Sequence, residues 1–359
     1  MVLSVGIVGL PNAGKSTLFR ALTRARVPVA PYPFTTVDPN TGVAAVPDER
    51  LDVLARITSA ERVVPATVRV VDIAGLVRGA HRGEGLGNRF LAHVREMAAL
   101  LHVVRAFHHP EVAHVEGHPD PLRDIGVVET ELLLADLETV QRRMERVEPR
   151  ARAGDAQARA ERAALEEAAR ALDSGRPART LPAGVREVLR PLRLLTDKPV
   201  AYVVNVAEGQ SDGAVQAVRA LAEARGVPVV VACLKVEDEL LDLPEEEARA
   251  YRDVAGLGEG VLDQVVRTGY RLLDLVTFFT TESREVRAWP VPRGTRAPQA
   301  AGAIHSDMER GFVRAEVVAF DDLVRAGSWE AAWQAGKVRL EGRDYQVREG
   351  DVITFRFHV

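Results

Sequence analysis

Near-continuous apolar runs recur along the chain between stretches that read as helices and polar turns. They occupy residues 5–8, 68–73, 100–105, 200–205 and 227–233. Strands that are apolar on both faces and separated by helices are typical of a parallel sheet covered on both sides. The pattern therefore predicts an α/β domain with a parallel-rich sheet and helices on both faces.

The pattern changes to a helical period between about residues 128 and 197. Apolar side chains recur there at spacings of four and three and then of seven, at Leu133, Leu137, Val140, Met144, Val147, Ala158, Leu165 and Leu172. Such a seam, interrupted at residues 153–155, predicts a coiled-coil-like hairpin of two helices inserted into the α/β domain. Arginine and glutamate fill its outer positions, which is usual for a solvated helical face. Contact of these arginines with RNA phosphates, including those of ribosomal RNA, is the alternative, and the neighbouring glutamates weaken it.

An alternating pattern of apolar and polar residues returns near the C-terminus. Residues 284–291, 314–318 and 351–357 predict strands, and residues 297–304 predict a helix. These elements predict a small α+β unit that follows the α/β domain.

Composition and charge narrow the class of protein without changing this picture. The chain has 359 residues, which suits two or three domains, and 47% of them are hydrophobic. Its net charge of −4 does not by itself indicate a nucleic-acid binder. The single cysteine, Cys233, fits a reducing compartment, and neither a signal peptide nor a bilayer-spanning apolar run is evident. We therefore expect a cytoplasmic protein without a membrane partner.

The run from Gly9 to Thr17, GLPNAGKST, matches the phosphate-binding pattern G-x-x-x-x-G-K-[ST], the P-loop. An apolar strand precedes it and a helical pattern follows it, as the motif requires. The glycines let backbone N–H groups close around phosphate oxygens at a helix N-terminus. Lys15 would reach the β- and γ-phosphates and assist catalysis, and Ser16 would hold Mg²⁺. Asn12 could coordinate a monovalent cation such as K⁺ beside the phosphates, or could only shape the loop.

Two further segments match the parts that P-loop switch proteins place around the γ-phosphate. The proline-rich loop at residues 31–36 contains Thr36, our first choice for completing the Mg²⁺ shell, and Thr35, our second. Asp72 ends an apolar strand, where its carboxylate could hold the Mg²⁺ shell through water. Gly75 could offer its N–H to the γ-phosphate. Three motifs in this chain order predict nucleotide hydrolysis or nucleotide-dependent switching.

The group that would orient the attacking water is not evident from the motifs. Many GTPases place a glutamine directly after the Asp-x-x-Gly motif, whereas this chain has Leu76. Catalysis must then take a group from elsewhere or be slow. His81, in a glycine-rich segment, and His114, in the loop at residues 111–117, are the candidates. A solvated loop imidazole without a catalytic role is the alternative for each.

The fourth apolar run ends at Asn205-Val206-Ala207-Glu208, where GTPases have Asn-Lys-x-Asp. The aspartate of that motif accepts two hydrogen bonds from guanine, and the longer Glu208 displaces this match. Val206 lacks the lysine stem that would cover the base, but its backbone groups are available to an adenine edge. Asn205 could bond an amino group or the P-loop backbone, and Cys233 would form the last wall of the base pocket. We therefore expect relaxed or adenine-preferring recognition.

These motifs together resemble the YchF, or Obg-like ATPase, branch of the translation-factor P-loop GTPases. The resemblance rests on residues 9–17, 33–36, 72–76, 83–88 and 205–208, and it continues at residues 285–289 and 298–305. It implies a P-loop nucleotide domain at residues 1–127 and 198–278, a helical coiled-coil insertion at residues 128–197 and a β-grasp (TGS) domain at residues 279–359. It also implies Mg²⁺-dependent hydrolysis of ATP, with GTP as a possible second substrate, and association with ribosomes through the helical arm and the TGS domain.

The resemblance also carries roles onto individual positions. It implies that a continuous segment binds the phosphates, namely Asn12, Ala13, Gly14, Lys15, Ser16 and Thr17. It implies that Ser16 and Thr36 hold Mg²⁺ and that Val206 contacts the base through its backbone.

Two other functions stay open at this point. The same fold could serve a GTP-preferring GTPase, which a competition between ATP and GTP analogues would reveal. The protein could also be a ribosome or RNA adaptor that is gated by nucleotide and whose hydrolysis is incidental, a reading that Leu76 favours.

Overall fold

The computed structural model describes residues 4–24, 40–76, 79, 86–208, 213–255 and 260–358 of the protein. The strands are β1 (Ser4–Val8), β2 (Thr41–Ala45), β3 (Arg62–Val64), β4 (Thr67–Asp72), β5 (Ala99–Arg105), β6 (Val200–Asn205), β7 (Val229–Ala232), β8 (Leu275–Thr280), β9 (Glu285–Pro292), β10 (Phe312–Ala319), β11 (Arg339–Glu341) and β12 (Asp351–Phe357). The helices are α1 (Lys15–Arg24), α2 (Arg50–Thr58), α3 (Leu86–Glu96), α4 (Pro121–Arg152), α5 (Ala156–Asp173), α6 (Ala183–Leu189), α7 (Gly213–Arg225), α8 (Leu234–Leu240), α9 (Glu245–Ala255), α10 (Val261–Leu272), α11 (Ala297–Ile304), α12 (Ser306–Arg310), α13 (Phe320–Ala326) and α14 (Trp329–Gln334). No helix among the described residues is long and apolar enough to cross a membrane.

The first sheet has the strand order β2-β4-β1-β5-β6-β7. The pairs β4·β1, β1·β5, β5·β6 and β6·β7 are all parallel. All seven residues of β5 are buried, as expected for a central strand that is covered on both faces. The predicted parallel-rich sheet is therefore confirmed. The sequence pattern missed β2, because its sequence TGVAA has neither an apolar run nor a clear alternation.

The predicted helical hairpin is formed by α4 and α5. Both helices begin at a capping aspartate, since Asp120 accepts from the Arg123 N–H and Asp155 accepts from the N–H groups of Gln157 and Ala158. The turn between them falls at residues 153–155, where the apolar seam is interrupted, and the seam itself is buried between the helices. α4 starts at Pro121 rather than near residue 128, because its first two turns pack among residues of the parallel-sheet unit.

A buried carboxylate fastens the base of the hairpin. Asp136 of α4 is fully buried, and its two oxygens accept from the N–H of Leu195 and the N–H of Thr196, both at 2.8 Å. The Thr196 hydroxyl donates to the same carboxylate at 2.7 Å. Burial raises the pKa of Asp136, and the hydrogen bonds from Thr196 and Leu195 oppose that rise. The chain that returns from the hairpin towards β6 is therefore held by three short hydrogen bonds to one side chain.

A histidine lies in the middle of the first sheet without access to solvent. The ring of His102 on β5 meets the ring of Tyr202 on β6 edge-on, with centroids 5.7 Å apart. The Tyr202 hydroxyl donates to Glu129 of α4 at 2.8 Å, and Arg225 of α7 donates to the same carboxylate at 2.6 Å. Burial lowers the pKa of His102 to about 4, so the ring is neutral at physiological pH.

This buried histidine predicts a loss of stability in acid. The unfolded chain protonates His102 near pH 6.5, whereas the folded chain resists protonation down to about pH 4. As the pH falls from 6.5 to about 4, the free energy of unfolding of the wild-type protein therefore decreases by about 3 kcal/mol. A His102→Gln variant, which has no imidazole to titrate, lacks this decrease. Hydrogen exchange of the β5 and β6 amides across this pH range would measure the difference. Equal pH dependence in both proteins would contradict it, and His305→Gln, at an exposed histidine, should match the wild type.

Among the described residues, the second compact unit contains residues 43–68 and 270–358. Its sheet has the strand order β11-β10-β12-β8-β9-β3. The pairs β8·β9, β10·β12 and β10·β11 are antiparallel, and β12 joins β8 in parallel in the middle of the sheet. The helix α11 follows the β8–β9 hairpin, and its buried alanines pack with Phe278, Phe312 and Phe355 in one core. The order is thus the β8–β9 hairpin, then α11, then the antiparallel pair β10·β12, whose strand β12 pairs with β8. This is the predicted β-grasp arrangement.

The compact units differ from the predicted domain boundaries in two places. The predicted boundaries put residues 43–68 in the nucleotide domain, whereas these residues belong to the second unit. Within that unit β3 pairs in parallel with β9, with Arg62 beside Glu285 and Val64 beside Arg287. The sequence boundaries also start the C-terminal domain at residue 279, whereas the second unit begins at residue 270 and β8 at Leu275. β3 has only three residues and its partner β9 lies far along the chain, so the sequence around β3 carries no pattern that predicts the pairing. The three-domain division itself stays a prediction.

Candidate nucleotide-binding site

The P-loop connects the carboxyl end of β1 to the first turn of α1. Gly14 has a φ of +104°, and a Cβ added there would lie 2.4 Å from Nδ2 of Asn205. Only glycine fits this position, because a side chain would be strained by the backbone and would collide with Asn205. The loop therefore lies directly against the end of β6, at the carboxyl edge of the parallel strands where such folds bind ligands.

Lys15, the first residue of α1, is nearly buried. Its Nζ donates to the carbonyl oxygen of Leu10 within the loop at 2.9 Å. Burial lowers the pKa of Lys15, and the charge of Asp72 opposes that change. A cation held inside the loop by a neutral carbonyl can transfer its hydrogen bonds to a phosphate oxygen without crossing solvent.

Ser16 and Asp72 meet beside this lysine. The Ser16 hydroxyl donates to Oδ2 of Asp72 at 2.7 Å. The register of β1 and β4 places Asp72 next to Ile7, so the carboxylate lies at the root of the P-loop. Its other oxygen, Oδ1, is buried and has no hydrogen-bond partner among the described residues. A hydroxyl and a carboxylate with one buried, unsatisfied oxygen fit Mg²⁺, which prefers hard oxygen ligands and takes its other ligands from phosphates and water.

The segment after Asp72 covers the other side of the lysine. A Cβ added to Gly75 would lie 3.1 Å from Nζ of Lys15 and 3.0 Å from Cγ of Pro11, so the backbone approaches the P-loop closely here. The next residue, Leu76, is fully buried in the core, and its N–H donates to the Gly9 carbonyl at 3.2 Å. Leu76 therefore secures the segment to the P-loop and offers no polar group to a water molecule.

His114 lies in a loop that is tied to the P-loop. The side-chain amide of Asn12 donates to the Ala113 carbonyl at 3.1 Å, and the buried Arg105 donates to the same oxygen at 3.2 Å. His114 itself is enclosed, with 2% of its side chain exposed. Its Nδ1 accepts from the Glu116 N–H at 3.1 Å, so Nε2 carries the proton and donates to Asp124 at 2.8 Å.

The imidazole of His114 is thus not the solvated loop side chain that was the alternative to a catalytic role. Both of its nitrogens are occupied in this conformation, so it can orient a water only after the loop releases one of them. The other candidate, His81, and the two threonines predicted near the metal, Thr35 and Thr36, lie outside the described residues.

Asn205 is committed to holding the site together. Its Nδ2 donates to the carbonyl of Ala13 at 3.0 Å, and its Oδ1 accepts from the N–H of Leu234 at 3.2 Å. The side chain therefore bonds the P-loop backbone, which was one of the two sequence alternatives. It also fixes the start of α8, where the half-buried Cys233 stands.

Val206 and Glu208, which follow Asn205, are arranged differently from a guanine site. The N–H of Val206 donates to the Ala232 carbonyl at 2.9 Å, so a base contact by its backbone falls to its carbonyl oxygen. Glu208 accepts a hydrogen bond from the Tyr251 hydroxyl of α9 at 2.7 Å, which also raises the pKa of Tyr251. The carboxylate that would have to read guanine is therefore already engaged by the protein.

Sequence reasoning missed Arg105, Asp124 and Tyr251. Each bonds a loop that the motifs had identified, but no motif marks the residue itself. Asp124 could have been suspected as a carboxylate on an apolar helical face ten residues after His114. The sequence carries no comparable signal for Arg105 or Tyr251.

The fold and the site together define a P-loop nucleoside triphosphatase domain with an additional mixed-sheet unit. The family model described as "50S ribosome-binding GTPase" (MMR_HSR1) matches residues 4–132. The model YchF-GTPase_C, described as "Protein of unknown function (DUF933)", matches residues 275–358.

Full-length relatives specify the family. The chain is 46% identical to "Ribosome-binding ATPase YchF" of Bacillus subtilis (strain 168) over 366 residues, and 47% identical to the protein of the same name from Escherichia coli O157:H7 over 363 residues. Each alignment covers 100% of both chains. The solved structure of the Schizosaccharomyces pombe YchF GTPase matches with a TM-score of 0.89 at 37% identity, over 99% of this chain and 98% of that one. The chain belongs to the YchF family, as its motifs predicted.

Proposed function

We propose that the protein is a Mg²⁺-dependent ATPase that acts in the cytoplasm as a ribosome-associated switch, regulating translation or a stress response. The convergence of Lys15, Ser16 and Asp72 at the P-loop supports nucleotide hydrolysis, and it is the observation that carries the proposal. Ribosome association is supported by relatives of 46–47% identity over the full length that bear the name ribosome-binding ATPase. The α4–α5 hairpin and the second compact unit are the surfaces that we assign to this partner, with ribosomal RNA as a possible contact of the arm.

The P-loop residues divide the work of holding the triphosphate. Lys15 binds the β- and γ-phosphates, and the loop residues that accompany it are Asn12, Ala13, Gly14, Ser16 and Thr17. Ser16 and Asp72, with Thr36, hold Mg²⁺, which supplies neutralisation of phosphate charge. Thr35 and the Gly75 N–H complete the γ-phosphate contacts. Asn12 also offers its side-chain oxygen to K⁺, while its amide nitrogen donates to Ala113.

His114 is the stronger of the two candidates for positioning the attacking water. Asp124 fixes its tautomer with the proton on Nε2 and leaves Nδ1 as the acceptor. Release of the Glu116 N–H would free Nδ1 for a water molecule. Asn12 and Arg105 both bond Ala113, one residue before His114, so a change in the P-loop would move the imidazole directly. His81 remains the second candidate.

The arrangement around the base supports ATP over GTP. Guanine requires a carboxylate for its ring N–H and amino group, and Glu208 is held by Tyr251. The carbonyl of Val206 is an acceptor, which suits the amino group of adenine. Asn205 is occupied by the P-loop and by Leu234, and Cys233 lines the end of the pocket. A GTP-preferring enzyme is the second candidate that the fold allows.

Competition binding tests this choice. We expect the wild-type protein to bind the non-hydrolysable analogue of ATP at least about tenfold more tightly than that of GTP. The double variant Val206→Lys/Glu208→Asp, which rebuilds the guanine motif, should raise the affinity for the GTP analogue by about tenfold. The control Glu239→Asp, at an exposed position of α8, should leave both affinities unchanged. Tighter binding of the GTP analogue by the wild type would overturn the proposal in favour of a GTPase.

A further inference from the structure

A cavity lies in the parallel-sheet unit, at the edge opposite the P-loop. Ser4 at the start of β1 and its register partner Arg69 on β4 mark this edge, where the parallel strands begin. The residues that precede β5 and β6, together with the segment at residues 186–198 that returns from the helical hairpin, complete its walls. Its volume is about 860 Å³. We call it the basal cavity.

The lining of the basal cavity carries a large excess of positive charge. Six cationic side chains line it, at Arg69, Arg95, Arg186, Arg190, Arg193 and Lys198. Two carboxylates accompany them, and one of these, Asp197, is paired with Arg186 at 2.6 Å. Arg190 pairs with Glu187 beside the cavity at 3.2 Å. Among the described residues, Arg69 and Arg193 form no ion pair.

Two of the cations are held by neutral groups. Nζ of Lys198 donates to the carbonyl oxygens of Arg95, at 3.0 Å, and of Met97. The Arg95 guanidinium donates to the Leu192 carbonyl at 3.2 Å and to the Thr139 hydroxyl at 3.4 Å. These contacts fix the positions of both cations, and neither cation forms an ion pair within 4 Å among the described residues.

The concentration of positive charge disfavours the charged form of Lys198. Burial, together with the charges of Arg95 and Arg193, lowers the pKa of Lys198 to about 8, and the charges of Asp136 and Asp197 oppose this change. Like charges gathered in a concave wall focus a positive potential into the cavity. An anion bound there would relieve this repulsion, whereas a neutral ligand would not.

We propose that the basal cavity is a second anion site, distinct from the P-loop, that binds a ligand carrying phosphate groups. Planar guanidinium groups match phosphate oxygens with paired hydrogen bonds, and four of the five arginines present theirs at exposed positions. The cavity volume exceeds what a single phosphate fills, so a ligand with several phosphates fits it best. Free oligophosphates and the backbone of single-stranded RNA share this chemistry.

The position of the cavity links its ligand to the helical hairpin. Its wall includes Leu194 and Asp197, which flank the two residues that Asp136 of α4 holds through their N–H groups. A ligand that draws Arg193 and Lys198 together would therefore stiffen the segment through which the hairpin returns to β6. This inference goes beyond the proposed ATPase and does not depend on it.

Calorimetric titration with inorganic tripolyphosphate tests the proposal. The full-length protein is first saturated with ADP in metal-free buffer, so that the P-loop is occupied and Mg²⁺ does not chelate the probe. We expect one further equivalent of tripolyphosphate to bind. The double variant Arg69→Glu/Arg193→Glu should weaken this binding by at least about thirtyfold, because two charge-assisted contacts become repulsive.

A matched control separates a site from a general effect of charge. Arg219→Glu/Arg249→Glu changes the net charge by the same amount on exposed faces of α7 and α9, and should change the affinity by less than about twofold. Unchanged ADP affinity in both double variants shows that they are folded. The proposal is overturned if tripolyphosphate does not bind, or if both double variants weaken its binding equally.

A second arm of the experiment distinguishes the two sources of phosphate. A single-stranded RNA hexamer is added to the ADP-saturated protein in competition with tripolyphosphate. Displacement that the Arg69→Glu/Arg193→Glu variant abolishes supports the site with RNA as its ligand. Retention of tripolyphosphate in excess RNA supports the site with a free oligophosphate as its ligand.

Discussion

Replacing Lys15 with alanine is expected to lower the rate of nucleotide hydrolysis by at least about a hundredfold. The Lys15 ammonium lies inside the P-loop, and removing one preorganised donor from developing phosphate charge costs about 10²–10³ in rate. Single-turnover hydrolysis of ATP would measure the loss. Lys337→Ala, at an exposed lysine in the second unit, is the control and should retain the wild-type rate.

The same variant separates the switch from the adaptor. If ATP controls the affinity for ribosomes, Lys15→Ala should make co-sedimentation with ribosomes insensitive to added ATP analogue. Ribosome binding that responds to the analogue as in the wild type, together with a wild-type rate of hydrolysis, would contradict the role of Lys15. Loss of hydrolysis with intact ribosome binding and intact cellular effect would favour the nucleotide-gated adaptor.

Replacing Asp136 with alanine is expected to destabilise the parallel-sheet unit by about 3–5 kcal/mol. The substitution leaves the N–H groups of the buried residues Leu195 and Thr196 without their acceptor. Urea unfolding followed by far-ultraviolet circular dichroism would show the change in the free energy of unfolding, because the hairpin contributes much of the helical signal.

Two further variants test the cause of this loss. Glu138→Ala lies two residues further along α4, where the carboxylate is half exposed and pairs with the exposed Arg142, so it should cost less than about 1 kcal/mol. Asp136→Asn keeps the shape of the side chain, but its amide NH₂ replaces one of the two oxygens that accept from the N–H groups of Leu195 and Thr196. This variant should therefore recover only part of the stability that Asp136→Ala loses. Equal stability of Asp136→Ala and Glu138→Ala would show that the three hydrogen bonds do not hold the hairpin.

The parts of the site that the sequence predicts are those in which neighbouring residues act together. The P-loop, the Asp-x-x-Gly segment and the residues after Asn205 each lie within a few residues at the end of a strand. Parallel strands bring their carboxyl ends to one edge, so the predicted sheet alone places these segments side by side. The hairpin was predictable for a similar reason, since its seam repeats with the helical period.

The remaining parts depend on contacts between distant residues. The enclosure of His114 requires Asp124 on the following helix, and the engagement of Glu208 requires Tyr251 on α9. The pairing of β3 with β9 depends on the shape of the second unit and involves only three residues of β3. Such contacts follow from tertiary packing, which a single sequence does not reveal.

The pairing of β3 with β9 also has a consequence for how the chain is made. β3 leaves the ribosome more than 200 residues before its partner, so it waits for on the order of ten seconds or more at ordinary rates of synthesis. During that wait its backbone groups have no neighbouring strand. A fragment that begins at residue 275 would lack β3. The outer edge of β9 would then have no neighbouring strand and would be prone to aggregation. Stable excision of the C-terminal sheet therefore requires that residues 43–68 be supplied with it.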